Sequence, residues 1–201
     1  MPVNNVKIIL FDLGNVIAHI DFDAFWRSLG FLTPAACTPW KEEYAFWTLN
    51  YETGRIQSNE YFNGLIKVFH NRFTAEQLSQ AVDSIIQEPI EGMVKLVQQI
   101  SYKYQTGLVS NTSETHYRLS LKRFEALHIL QKHYLSFRLQ VMKPDRKFYE
   151  FIIHDLLVAP SVILFIDDLE SNVEGALGAG MQAIRFEGVE KLKNSLIYLN
   201  G

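Results

Sequence analysis

Asp12, Ser110, Asn111, Lys143, Asp167 and Asp168 are the residues of this sequence whose types and positions suit chemistry on a phosphoryl group. Three carboxylates brought to one place repel one another and are costly to desolvate without a cation. A hard divalent ion resolves that conflict. Mg²⁺ takes one or two carboxylates, keeps some water and completes its shell with phosphate oxygens. No His–Cys cluster offers a zinc site. Lys143 supplies a compact positive charge for a phosphate oxygen. Ser110, with backbone N–H groups ahead of a helix N-terminus, can hold further oxygens. A carboxylate such as Asp12 can attack phosphorus and form an aspartyl-phosphate that water then hydrolyses.

Such a site needs elements that bring these positions together. Val6–Phe11 is a short apolar run that ends at Asp12 and Gly14, the pattern of a buried strand followed by a loop. Similar runs lie at Thr106–Val109, Val162–Ile166 and Gln182–Phe186, with a weaker one at His133–Phe137. Helical apolar spacing falls between them: Met93, Leu96, Val97 and Ile100, then Tyr117, Leu121 and Phe124, then Phe148, Phe151, Ile152 and Leu156. A further helix from about Asn172 would end near Gly180. Residues 19–90 break the alternation and read as helices without a buried strand. Pro39 is placed to open one helix and Ser58 to cap another, and Thr74 with Gln77 makes a capping-box pattern. The expectation is an α/β fold: a Rossmann-like doubly wound parallel sheet from residues 1–18 and 91–201, with a helical insertion, 19–90, after the first strand. In such sheets ligands bind beyond the carboxyl ends of the strands, which is where the six residues fall.

Composition narrows the partners. The chain has 201 residues, 48% hydrophobic and 20% charged, enough to bury a core. A net charge of -3 argues against a general nucleic-acid binder. Cys37 is the only cysteine, so no internal disulfide forms. The N-terminus shows no secretory pattern and no apolar run is long enough to span a bilayer, so a cytoplasmic location without a membrane partner is expected. The partner implied is a small phosphorylated metabolite, and the oligomeric state stays open.

Four motifs in order resemble the haloacid dehalogenase superfamily of hydrolases. They are Asp12-Leu13-Gly14-Asn15-Val16, Leu108-Val109-Ser110-Asn111-Thr112, Lys143-Pro144-Asp145 with Phe148-Tyr149, and Ile166-Asp167-Asp168 with Ser171-Asn172. The insertion, including Glu52-Thr53-Gly54-Arg55-Ile56-Gln57-Ser58, is similar to that family's helical cap. The Asp-Leu-Gly-Asn-Val form resembles a subgroup of bacterial sugar-phosphate phosphatases, the α-glucose-1-phosphate type among them. The resemblance implies Asp12 as nucleophile. It implies Mg²⁺ held by Asp12, the Gly14 carbonyl and Asp167 or Asp168, and a phosphoryl group held by Ser110, Asn111 and Lys143.

One position departs from the family pattern. Gly14 stands where a second aspartate ordinarily protonates the leaving group and activates water, help worth about 10²–10⁴-fold in rate. Three readings follow. A substitute acid comes from nearby, with His19 and Asp21 the candidates. A good leaving group or a water suffices. Or the chain binds phosphorylated ligands in a regulatory role without turnover. Carbon–halogen hydrolysis by the same nucleophile is disfavoured, because a halide leaving group needs no metal pair at Asp167–Asp168. The insertion aromatics Trp26, Trp40, Tyr44, Phe46, Trp47 and Tyr51 are expected to be mostly packing residues.

Overall fold

The computed structural model describes residues 5–197. The outer ends of the expected core, residues 1–4 and 198–201, lie outside the described residues. The apolar runs form a five-stranded parallel sheet: β1 (Ile8–Phe11), β4 (Gln105–Ser110), β5 (Lys132–Leu135), β6 (Ile163–Asp167) and β7 (Gln182–Arg185). Its order is β5-β4-β1-β6-β7, so β1 is central and the chain winds out to one side, then returns to build the other. Phe11 pairs with Leu108 on one side and Ile166 on the other.

Side-chain alternation along the strands divides the core in two. Ile9, Phe11, Leu108, Leu164 and Ile166 join one cluster with Met93, Leu96 and Val97 of α5 (Met93–Ser101) and Leu192 of α11 (Val189–Ile197). Ile8, Leu10, Val109, Ile163 and Phe165 join another with Phe148, Tyr149 and Ile152 of α9 (Arg146–Leu156) and Ala176 of α10 (Glu170–Gly178). Helices on both faces explain why these strands read as unbroken apolar runs. The first helical face holds where expected. On α9 Phe151 is 48% exposed and Tyr149 takes its place in the core. Beyond β4 lie α6 (Glu114–Arg123) and α7 (Ala126–Ile129), and α8 (Ser136–Leu139) follows β5.

The insertion is helical, but its stem is a strand pair. β2 (Ala18–Ile20) runs antiparallel to β3 (Ile86–Pro89) where the chain leaves and re-enters the sheet region. Ile-Gln-Glu-Pro offers neither an apolar run nor a clean alternation, so no local pattern signals a strand there. Between the two lie α1 (Phe22–Ser28), α2 (Pro34–Glu52), α3 (Ser58–Val68) and α4 (Ala75–Asp83). They enclose their own cluster, centred on Phe25, Tyr61, Leu65 and Phe69. Trp26 and Tyr51 are buried in it, and Trp40, Tyr44 and Trp47 pack against it. Phe46 stays 62% exposed.

Two helix starts differ from expectation. α2 begins at Pro34, with the Thr33 hydroxyl accepting from Ala36 N at 3.3 Å, and Pro39 lies inside the helix. Pro34 takes the first-turn position where a missing N–H costs nothing. Ser58 is the first residue of α3, whose cap position is Gln57 without a side-chain bond. The Thr74–Gln77 capping box forms as read, at 3.2 and 2.9 Å. Among the described residues no helix is long and apolar enough to cross a membrane.

The end of α2 is anchored to the core. The Ser136 hydroxyl donates to the Glu52 carbonyl at 2.6 Å, and Thr112 N donates to that same hydroxyl at 2.9 Å. Gly54 turns the chain next to this contact with φ +65, and a Cβ there would lie 2.0 Å from the Phe137 carbonyl oxygen. Both the left-handed backbone and the close approach require glycine. Gly54→Ala is expected to destabilise the fold by about 1–3 kcal/mol, the cost of overpacking. Urea unfolding of the two proteins measures this; an unchanged midpoint would contradict the tight contact.

Candidate active site

At the carboxyl end of β1 the chain passes directly into Asp12, whose N–H donates to Ile166 O at 2.9 Å. Because β1 lies between β4 and β6, Asp12 stands beside the ends of both, at the point where the winding direction reverses. Lys143 reaches it from the loop between α8 and α9, and the Lys143–Pro144 peptide is cis. The ammonium, only 4% of the residue being exposed, lies 2.8 Å from Asp12 Oδ1 and 2.7 Å from Asp167 Oδ2. Its third donor meets Val109 O at 3.1 Å, so all three N–H bonds are used.

The lysine is held at its backbone. Asn111 Nδ2 donates to Lys143 O at 2.9 Å, and Lys143 N donates to Asn111 Oδ1 at 2.8 Å. The Asn111 amide thus positions Lys143, and the residue also lines the cleft. Ser110, at the end of β4, is buried and lines the cleft.

The adjacent acids have different surroundings. Asp167 is fully buried; its oxygens accept from Lys143, from Leu169 N at 2.9 Å and from Asn172 Nδ2 at 3.0 and 3.1 Å. Asp168 is half-buried, and Asn15 Nδ2 donates to its Oδ2 at 3.2 Å. Asp12, Asp167 and Asp168 each present an oxygen within 4.8 Å of the others. Burial, and secondarily the Asp167 charge, pushes the Asp12 carboxyl well above its ordinary value, against the pull of Lys143. Burial also raises Asp168. Burial on its own would lower the Lys143 ammonium, but Asp12 and Asp167 outweigh it and hold it protonated. One ammonium among three carboxylates leaves the cluster short of positive charge. Its all-oxygen donor set suits a hard divalent cation.

These residues open onto a cavity of about 280 Å³ that also takes in Gly14, Phe22, Glu52, His116 and Met142. It adjoins a smaller recess of about 90 Å³ lined by Tyr44, Thr48, Tyr51, Tyr61 and Ser113, with Phe22, Glu52, Ile85 and His116 common to both. His116 is buried, which lowers its pKa against the opposing pull of the Val82 carbonyl, to which its Nε2 donates at 2.9 Å.

The two candidate substitutes for the missing acid do not reach the cleft. His19 is exposed and lines a separate depression with Glu91, Glu187 and Lys191. Asp21 caps α1, accepting from Asp23 N at 3.0 Å and Ala24 N at 3.2 Å, and pairs with Arg27. The Arg27 hydrogen bond lowers its pKa, leaving it without a proton to donate. Sequence reasoning placed both near Asp12 because they follow it closely; β2 carries them away. It did not single out Glu52 or His116 as cleft residues. Both come from helix positions whose facing only the packing of the insertion on the sheet decides.

An α/β core with a strand-end carboxylate, a buried lysine and an acid cluster beneath a helical insertion is the build of a hydrolase that works on anionic substrates. The chain belongs to the haloacid dehalogenase-like hydrolase family, whose sequence model matches residues 9–186. It is 26% identical to a D-ribitol-5-phosphate phosphatase of Bacteroides thetaiotaomicron, over 97% of this chain and 99% of that one. Its structure superposes on the magnesium complex of a haloacid dehalogenase family enzyme of the same species with a TM-score of 0.84, at 22% identity, covering 94% of this chain and 98% of that one. A HAD-like hydrolase of Porphyromonas gingivalis gives 0.82, also at 22% identity, over 96% and 98% of the two chains.

Two outcomes follow from the electrostatics. Lys143→Met leaves Asp12 and Asp167 buried beside each other without their cation, and is expected to cost roughly 3–5 kcal/mol of stability, read by chemical denaturation. Glu52 has no hydrogen bond or ion pair at its carboxyl among the described residues, and burial alone raises its pKa from 4.5 to about 7. The folded state therefore holds this proton more tightly than the unfolded chain does. The resulting stabilisation is complete below pH 4.5 and is lost as pH rises through 7. The stability of wild type relative to Glu52→Gln should fall across that window and level off above it. A difference that stays constant would show Glu52 ionised throughout.

Proposed function

We propose that this protein is a magnesium-dependent phosphomonoester hydrolase acting on a small phosphorylated metabolite, a sugar or sugar-alcohol phosphate. The observation that carries the reading is Lys143 bridging Asp12 and Asp167 at the floor of the cleft, with Asp168 beside them. Residues 1–18 and 91–201 serve as the catalytic core and 19–90 as a cap over the phosphate end. Asp12 attacks phosphorus in line with the leaving oxygen. Ser110 donates to a phosphoryl oxygen, and the Lys143 charge, its three donors engaged by Asp12, Asp167 and Val109 O, offsets the charge developing beside it. Asp12, the Gly14 carbonyl and Asp168 would hold Mg²⁺. Asp167, its oxygens already engaged by Lys143, Leu169 and Asn172, steadies the lysine. Bound there, Mg²⁺ would offset the repulsion between Asp12 and the phosphate.

Two comparisons support this reading. The relative at 26% identity is a D-ribitol-5-phosphate phosphatase. A structural neighbour at 24% identity and TM-score 0.78 is a complex with magnesium and inorganic phosphate. Gly14 keeps a second reading in play, in which a phosphorylated ligand binds without turnover.

Purified protein with Mg²⁺ is expected to release phosphate from p-nitrophenyl phosphate and from members of a sugar- and polyol-phosphate panel. Asp12→Asn or chelation should abolish release. Binding of a panel member without release above the Asp12→Asn background would favour the second reading and refute the first.

A further inference from the structure

The phosphatase reading leaves one step without an agent. An alkyl phosphate loses a strongly basic alkoxide, which needs a proton, and Gly14 has no side chain to give one. The cleft holds three carboxyls: Asp12, Asp168 and Glu52. Asp12 is taken as nucleophile and Asp168 as cation ligand. Glu52 remains. It comes from the insertion, so it faces the cavity from the side opposite the sheet, where a leaving group directed away from Asp12 emerges. No described residue pairs with its carboxyl.

We infer that Glu52 is the general acid and base of this enzyme, replacing from the cap the function that Gly14 cannot perform from the core. This rests on the phosphatase reading. As Asp12 forms its bond to phosphorus, the bond from phosphorus to the ester oxygen breaks, and that oxygen takes the proton of the Glu52 carboxyl. The alcohol departs, leaving Glu52 as carboxylate. In the second half Glu52 accepts a proton from a water that attacks phosphorus. The bond from phosphorus to Asp12 breaks, phosphate leaves and Glu52 is reprotonated.

The surroundings of Glu52 suit an acid. The titratable groups lining its cavity and recess are Tyr44, Tyr51 and Tyr61 from α2 and α3, His116 from α6, and Asp12, Asp168 and Lys143 from the core side. Burial raises Tyr44 and Tyr61, so they stay neutral. The His116 Nε2 proton is committed to Val82 O. The Lys143 ammonium is engaged by Asp12 and Asp167, and burial is what acts on Glu52. Its place at the last position of α2 adds the negative end of a helix dipole. The position is fixed, not free to swing, because Ser136 holds the Glu52 carbonyl and Gly54 sits against Phe137.

The test separates the two half-reactions by leaving group. With an alkyl phosphate, Glu52→Gln should slow single-turnover cleavage about 10²–10⁴-fold. With p-nitrophenyl phosphate, whose leaving group needs no proton, the first step should be within a few-fold of wild type. A burst of one p-nitrophenol per active site should then precede slow turnover, since the aspartyl-phosphate lacks its base. In wild-type protein, without any substitution, kcat/KM for the alkyl ester should fall above about pH 7 while that for the aryl ester does not.

Equal losses on both esters without a burst, a raised KM with unchanged kcat, or one alkaline limb common to both esters would each overturn the role. Wild type active with Glu52→Gln equally active refutes this inference alone. Wild type inactive on every ester refutes the phosphatase reading and this inference with it.

Discussion

A buried ammonium held between two carboxylates is the constraint on which the rest of this structure depends. Lys143 cannot be desolvated without partners, and Asp12 and Asp167 cannot both be buried as anions without it. The three must therefore meet, although they lie far apart in sequence. The sheet order solves that problem, placing β1 between β4 and β6 so that Asp12 and Asp167 emerge side by side. Asn111, one residue past β4, then grips the lysine backbone from the other neighbour strand. Such an arrangement is weak evidence for stability, since an apolar replacement of equal volume would often serve a core as well. Its placement at the strand ends, open to a cavity, is what gives it meaning for chemistry.

Much of this was legible in the sequence because buried parallel strands announce themselves. Ile8–Phe11 and Ile163–Asp167 are apolar on both faces, and each runs straight into an acid. The strands flanking β1 could thus be found, and with them Asp12, Ser110 and the Asp167–Asp168 pair. What was hidden depends on tertiary facing. Asn111 has the residue type of an anion ligand, and its amide also positions the Lys143 backbone, which no local pattern signals. His19 and Asp21 are near Asp12 in sequence, but a short strand that sequence does not signal carries them past the cleft. Glu52 is far from Asp12 in sequence and lines the same cavity.

A few close contacts join the insertion to the sheet. Ser136 is the node: its hydroxyl donates to Glu52 O and Thr112 O and accepts from Thr112 N. This ties the end of α2 to the loop that carries Ser110 and Asn111. Tyr51 adds a second link through Thr115, its hydroxyl 2.6 Å from the threonine Oγ1. The residue next to Tyr51 is Glu52, so the contacts that dock the insertion also hold the Glu52 backbone at the cavity.

Gly54 and Gly14 are constrained to different degrees. At Gly54 a side chain is excluded by the approach of the Phe137 carbonyl. At Gly14 exclusion is far milder: a Cβ would meet the flexible Ile20 Cγ1 at 3.1 Å, and φ is not in the left-handed region. A fourth carboxylate on the sheet side would add to a cluster already short of positive charge, whereas Glu52 reaches the same cavity from the insertion. Burial raises both Asp12 and Glu52, but their neighbours differ. Asp12 has Lys143 at 2.8 Å to oppose that rise, while the Glu52 carboxyl has no such partner among the described residues. Under the proposed function, dividing the two roles between sheet and insertion would set a nucleophile and a proton donor on opposite sides of one cavity.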